Sequence, residues 1–177
     1  MLPKLLRAFS IAGLALLVSC SGNSEDGVVY HTSARSVSEN KLLRANRYLN
    51  LKDMLVVKGY IGRHGLKMNF SDLGYYYSSS QGGNGRKIEK GSVVLYDYRV
   101  KLIDGTLLDS SNNGLGQIVI DKSDGITGLH EGLKHFREGD TATFIFLPHL
   151  AYGLIGDGEK IPARSTLVYE IAIKSVR

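Results

Sequence analysis

The stretch from Phe144 to Tyr169, FIFLPHLAYGLIGDGEKIPARSTLVY, constrains the fold more than any other. An alternating apolar strand runs into Pro148. A loop follows with Tyr152 and Gly153, then a glycine turn, then Ile161-Pro162, and a second alternating strand begins at Thr166. Of the three prolines in the chain, Pro3 lies near the N-terminus and the other two, Pro148 and Pro162, bracket this loop. Fixed φ at the prolines and permissive φ at the glycines make a shaped loop beside a sheet. What that loop covers is the question the rest of the chain must answer.

The segment upstream supplies the sheet. Val94, Tyr96, Tyr98, Val100 and Leu102 alternate with Asp97, Arg99 and Lys101, the pattern of a half-buried strand. Asp104-Gly105 is a hairpin turn pair. Thr106 to Asp109 starts the return strand, Ser110 to Gly116 is a polar loop, and Gln117 to Asp121 is a short strand. Leu129, Leu133 and Phe136 fall at helical spacing, which predicts a short helix over Thr127–Arg137 closed by Gly139 just past its end. Ala142, Phe144 and Phe146 alternate with polar neighbours, and Thr166 to Val176 forms the last strand. One short helix among four or five antiparallel strands predicts an α+β fold, an antiparallel half-barrel sheet wrapped on that helix.

The N-terminus carries a different signal. Lys4 and Arg7 precede an apolar run, Ala8 to Val18, of the length of a secretory signal and too short to span a bilayer. It ends at Leu17-Val18-Ser19-Cys20, which resembles a bacterial lipobox and contains the only cysteine. The resemblance implies cleavage before Cys20 and lipidation there, and several acyl chains anchor a protein without a transmembrane helix. With one cysteine no intrachain disulfide can form. The expected organisation is a lipoprotein signal peptide over 1–19, a flexible tether over 20–36, a helical N-terminal extension over 37–77 and a folded domain over 78–177. The expected location is the bacterial envelope, with the lipid anchor on the periplasmic side of the outer membrane.

Within the extension, Leu42, Leu43, Tyr48, Leu49, Leu51, Leu55 and Val56 recur at helical spacing. Asn50 is expected to bend it into two shorter helices, and Gly59 and Gly62 weaken its end. Such a helix is too short to be a domain. It packs on the domain that follows, the favoured alternative, or pairs with another copy as a homodimer. Leu73 to Tyr77 reads as a short aromatic strand, and Ser78 to Arg86 as a flexible Ser/Gly loop.

Several chemistries are excluded. The formal charge of +5 includes Lys4 and Arg7, and no long Lys/Arg run exists, so nucleic acid is not an expected partner. The GlyGlyAsnGlyArgLys run at 82–87 lacks the Gly-Lys-Ser/Thr of a phosphate loop. His31, His64, His130, His135 and His149 include no i, i+4 pair, so they read as exposed or loop residues and not as a zinc site. The run from Asp121 to Gly125 places its glycine one position early for a calcium loop. No Gly-x-Ser-x-Gly elbow is present. An enzyme built on this chain is expected to use neither a nucleophile, a metal nor a cofactor.

From Gly91 to Arg177 the chain resembles the FKBP-type peptidyl-prolyl isomerase domain. Three separated elements carry the match: VVLYDYRVKLIDGTLLDSS, GITGLHEGLKHFREGD, and LPHLAYGLIGDGEKIPARSTLVYEIAI. The resemblance implies a half-barrel on one helix and rotation about X-Pro bonds of proline-containing client proteins in the envelope. It implies catalytic roles for Tyr98, the pocket tyrosine of the first long strand; Asp109, the pocket aspartate before Ser110-Ser111; and Tyr152, whose hydroxyl binds a substrate carbonyl. It implies substrate-binding roles for Leu108, for Ile126 at the floor through its N–H, and for Leu129, Ile161 and Tyr169 as apolar wall. Read without it, Tyr98 could be core and Asp109 a turn acceptor. The chain departs from the usual pattern at Leu108 for Phe, Leu129 for Trp, Tyr169 for Phe, and Gly116 near a usual aromatic. Those departures predict a shallower, less rigid pocket. The alternative function is a non-catalytic chaperone or assembly module of an envelope machine on the same fold.

Overall fold

A computed structural model describes residues 31–80 and 82–177. The leader, Cys20 and most of the expected tether lie outside the described residues.

Helix α1 spans His31–Arg63 without a break. It starts inside the expected tether and runs straight through Asn50, where a bend was expected. One Asn costs a helix only a fraction of a kcal/mol, and tertiary packing farther along holds the segment. Two strands follow, β1 (Asn69–Phe70) and β2 (Tyr76–Ser80). Thus β2 begins later than predicted, crosses the expected boundary at 77/78, and belongs to the sheet. Next come β3 (Val93–Leu102), β4 (Leu107–Ser110) and β5 (Gly116–Val119). Helix α2 (Thr127–Leu133), β6 (Thr141–Phe146) and β7 (Leu167–Val176) complete the chain.

All pairings are antiparallel, in the order β1-β2-β6-β7-β3-β4 with β5 also on β3. The fold is the predicted α+β sheet wrapped on one short helix, with seven strands among the described residues instead of four or five. Register explains the core. Phe144 pairs with Tyr169 and Phe146 with Leu167, so the apolar positions of β6 and β7 fall on one face. Leu129, Leu133 and Phe136 meet that face and are buried. Gly128 and Gly132 let α2 sit directly on the rings of Phe146 and Phe144. A Cβ on Gly132 would stand 2.8 Å from Phe144 Cε1.

Helix α2 stops at Leu133, one turn short of the predicted end. Gly139, with φ +92, is not its cap. It belongs to the turn organised by the buried Asp140, whose carboxylate accepts from the Arg137 amide at 2.8 Å. The same carboxylate accepts from the amides of Gly82 and Gly83, at 3.2 and 2.9 Å. The Ser/Gly loop is therefore pinned where a flexible loop was expected, and two of its amides are already committed to an internal anion.

The outer face of the sheet has its own smaller core. Tyr76, Ile145, Leu147 and Val168 pack against Val57, with Met54, Tyr60 and Ile61 of α1 around it. Val57 is fully buried. The C-terminal half of α1 thus packs on the domain, while Leu42, Leu43, Tyr48, Leu51 and Leu55 remain exposed. Among the described residues no helix is long and apolar enough to cross a membrane.

Candidate active site

A cavity of about 470 Å³ opens between β3, β4, the start of α2 and the proline-bracketed loop. Tyr98, Asp109 and Tyr152 line it, and so do Leu108, Ile126, Leu129, Ile161 and Tyr169. The fold therefore brings every residue singled out for the pocket to one place. A larger depression, about 750 Å³, lies on the outer face of the sheet over Ser78, Thr143, Arg99 and Glu170. It is broad and polar, its Arg99 is already paired with Glu170, and it lacks the apolar floor of a ligand site.

The polar edge is built by strand pairing. Asp109 on β4 pairs with Val100 on β3, and the Tyr98 hydroxyl donates to Asp109 Oδ2 at 2.9 Å. The Ser110 amide donates to Oδ1 at 2.8 Å, so both carboxylate oxygens are held. Loss of water, then the hydrogen bond to Asp109 and its charge, push the Tyr98 hydroxyl above its ordinary pKa. Tyr152 sits at the mouth, 39% exposed. Partial burial raises its pKa, helped by the charges of Asp157 and Asp109.

The loop that carries Tyr152 is fixed by its own backbone. Gly153 N–H donates to the Pro148 carbonyl at 2.8 Å, and Arg164 N–H to the Gly153 carbonyl at 3.1 Å. Asp157 Oδ1 accepts from the amides of Ile161 and Glu159 at 2.7 and 2.9 Å. Those backbone bonds hold its carboxyl below the usual range. Gly156, with φ +83, lies against the Ile161 carbonyl where no side chain fits, and Ile161 is thereby presented to the cavity. One contact comes from far away. Arg164 Nη2 pairs with Asp53 Oδ2 on α1 at 2.7 Å.

At the floor, Ile126 is the residue that starts α2, and its carbonyl accepts from the amides of Leu129 and His130. The turn leading to it rests on His130. This histidine is buried on α2, where an exposed or loop position is expected. Its Nδ1 accepts from the Asp121 amide at 3.1 Å, in a turn where Asp121 has φ +60. Lys134 adds an ion pair to the Asp121 side chain at 3.0 Å.

One wall residue escaped the sequence reading. Tyr96 pairs directly with Gly116 across β3 and β5. A Cβ on Gly116 would stand 2.6 Å from the Tyr96 ring, so this ring occupies the space of the missing aromatic. Of the expected shallower, less rigid pocket, the part that rested on Gly116 does not hold, because the Tyr96 ring fills that space. The alternation of β3 did put Tyr96 on the same face as Tyr98, but the β3–β5 register that sets it against a glycine was not legible. Burial, with Tyr98 and Tyr152 nearby, pushes the Tyr96 hydroxyl up to about 12. Tyr169 is raised for the same reason, burial first.

Residues 84–174 match the family of FKBP-type peptidyl-prolyl cis-trans isomerases. A "Probable FKBP-type peptidyl-prolyl cis-trans isomerase FkpA" of Neisseria meningitidis is 32% identical over 144 residues, 81% of this chain and 51% of its own length. The human peptidyl-prolyl cis-trans isomerase FKBP9 is 38% identical over 88 residues, 48% of this chain and 15% of its own. The chain thus spans about half the length of the first of these relatives and less of the second. The crystal structure of FkpA from Escherichia coli superposes with a TM-score of 0.62 at 26% identity, covering 82% of this chain and 67% of that one. With the sheet, the helix under it and the cavity between them all falling within or beside the matched residues, the chain belongs to the FKBP-type peptidyl-prolyl cis-trans isomerase family.

Proposed function

We propose that this protein catalyses cis-trans rotation about X-Pro bonds of envelope proteins and so assists their folding. The observation that supports this most is the apolar-floored cavity edged by the Tyr98–Asp109 hydrogen bond.

Amide resonance sets a barrier of about 18–20 kcal/mol to rotation, and unaided X-Pro isomerisation takes tens to hundreds of seconds. The twisted transition state has lost that resonance, so its carbonyl carries less negative charge than the planar amide. Leu108, Ile126, Leu129, Ile161 and the Tyr169 ring surround the prolyl segment with apolar surface, which favours the less polar state. Tyr152 donates to a neighbouring carbonyl, and Tyr98 with Asp109 orients the chain at the polar edge. Tyr98 and Tyr152 keep their protons at neutral pH, because both are raised above the ordinary tyrosine value. No proton is transferred and no covalent bond changes. Acceleration of cis-trans exchange in an X-Pro peptide tests this, and its loss in Asp109→Ala tests the site.

The lipobox-like ending at Cys20 supports a lipid-anchored envelope protein, with residues 1–19 removed and the anchor on the periplasmic side of the outer membrane. Proline-containing proteins folding at that membrane are the proposed clients. Cys20→Ser should release the protein from the membrane fraction, and an unchanged distribution would refute the anchor. The exposed Leu51 and Leu55 on α1 favour a second copy of the chain as partner of that helix. Leu51→Lys with Leu55→Lys should then halve the mass in solution, and a monomeric wild-type protein would refute the pairing.

A further inference from the structure

Tyr96 and Tyr169 enter the cavity from neighbouring strands. Tyr169 on β7 pairs with Val100, four residues along β3 from Tyr96. Each residue is 8% exposed, and both rings line the cavity. Both are clamped. Tyr96 packs edge-on against Tyr98 at 5.7 Å between centroids and lies over Gly116. Tyr169 meets Phe146 edge-on at 5.6 Å.

Neither hydroxyl has a hydrogen-bond partner in the protein among the described residues. Neither is sealed off: the only completely enclosed side-chain polar atom without a partner there is the Tyr75 hydroxyl. The two hydroxyls therefore reach the open space of the cavity. Polar groups on residues this deeply buried are almost always bonded to something, and a phenyl ring would fill either position without needing a partner. The hydroxyl oxygens make chemical sense as donors for a group that arrives with the substrate.

We propose that Tyr96 and Tyr169 are substrate-contacting residues whose hydroxyls donate hydrogen bonds to carbonyl oxygens flanking the X-Pro bond. This rests on the isomerase reading of the site. Rotation twists the X-Pro amide against the residues on either side of it, and their carbonyls must be held while it turns. Tyr152 holds one of them at the mouth. Donors fixed on β3 and β7 hold others, while the rotating carbonyl itself stays in apolar surroundings. Rigid rings with two torsions each hold these donors in place before substrate binds, so little order is lost on binding.

Exchange NMR on an X-Pro tetrapeptide, with the full chain, tests this through Tyr96→Phe, Tyr169→Phe and the double variant. Each single change should lower kcat/KM roughly three- to tenfold, the scale of one lost hydrogen bond, and the double change should lower it further. The thermal midpoint should hold or rise, because each variant removes a buried hydroxyl without a protein partner. A kcat/KM equal to or above wild type in either single variant overturns the proposal. So does a fall in midpoint accompanying the fall in rate, which would make the hydroxyls structural. Peptide titration gives the second readout. If wild type binds without turnover, weaker binding by the Phe variants supports the contact and equal binding overturns it. A wild-type protein that neither binds nor accelerates exchange overturns both this proposal and the isomerase function. Full wild-type activity with unaffected variants overturns this one alone.

Discussion

The Tyr98 hydroxyl donates to Asp109 Oδ2 at 2.9 Å while the Ser110 amide holds Oδ1 at 2.8 Å. A carboxylate gripped on both oxygens gives the cavity a fixed polar edge above an apolar floor. Tyr98→Phe removes one of the two donors and should lower kcat/KM about three- to tenfold. Asp109→Ala removes the edge itself and should cost about tenfold or more. Both should leave the thermal midpoint within a few degrees, since Asp109 is exposed and Tyr98 only partly buried. Equal peptide kinetics in both variants would refute the assignment.

Gly116 and Tyr96 compete for one volume, because a Cβ on the glycine would stand 2.6 Å from the tyrosine ring. Gly116→Phe alone should destabilise the fold by about 1–3 kcal/mol through overpacking. Combined with Tyr96→Val, much of that loss should be recovered, since the new ring takes the place of the old. Urea unfolding of the two single variants and the pair measures the coupling. Simple additivity would show that the two positions do not share space.

The Asp53–Arg164 pair ties α1 to the loop that presents Ile161, at 2.7 Å and with side chains 16% and 29% exposed. That degree of burial puts it above a solvent-exposed pair, and breaking it should cost about 1 kcal/mol. Asp53→Ala should also speed amide exchange at Arg164 and raise KM more than it lowers kcat. Unchanged loop exchange would mean that α1 does not support the loop.

Alkali should weaken the protein through its buried tyrosines. Tyr96 ionises at about 12 in the fold, against about 10 in the unfolded chain. Its folded value is raised, so the stability it contributes is fully present below about pH 10 and is lost as pH rises from there toward 12. The slope from one such group approaches about 1.4 kcal/mol per pH unit within that window. Tyr169 is raised too and acts in the same direction. Denaturant midpoints between pH 9 and 12 should fall in wild type and fall less in Tyr96→Phe. A parallel decline in the two proteins would contradict the burial argument.

Much of this was legible in the chain because the signals are local. The period of two in β3, β6 and β7 placed Tyr98, Phe144 and Tyr169 on the inner face. The spacing of Leu129 and Leu133 gave the buried side of α2, and the prolines marked the loop with Tyr152. What escaped depends on partners distant in sequence. Asp53 and Arg164 are 111 residues apart. The burial of His130 follows from its bond to the Asp121 amide, which no spacing rule reveals. The replacement of a missing aromatic at Gly116 by Tyr96 requires the β3–β5 register. The unbroken course of α1 through Asn50 escaped because local propensity is a weak guide once a helix packs on a domain. The loop at Gly82-Gly83 looked flexible because its anchor, Asp140, lies beyond the strands and helix between them.

Catalysed rotation about an X-Pro bond would set this site apart from a mere peptide-binding groove. Exchange NMR reads it without coupling enzymes, on the chain from Ser21 onward and a tetrapeptide whose cis and trans forms give separate signals. Catalytic amounts of protein should accelerate exchange well above the protein-free rate, and Asp109→Ala should remove most of the acceleration. Exchange at the protein-free rate, with the peptide demonstrably bound, would contradict the isomerase function and leave a binding module.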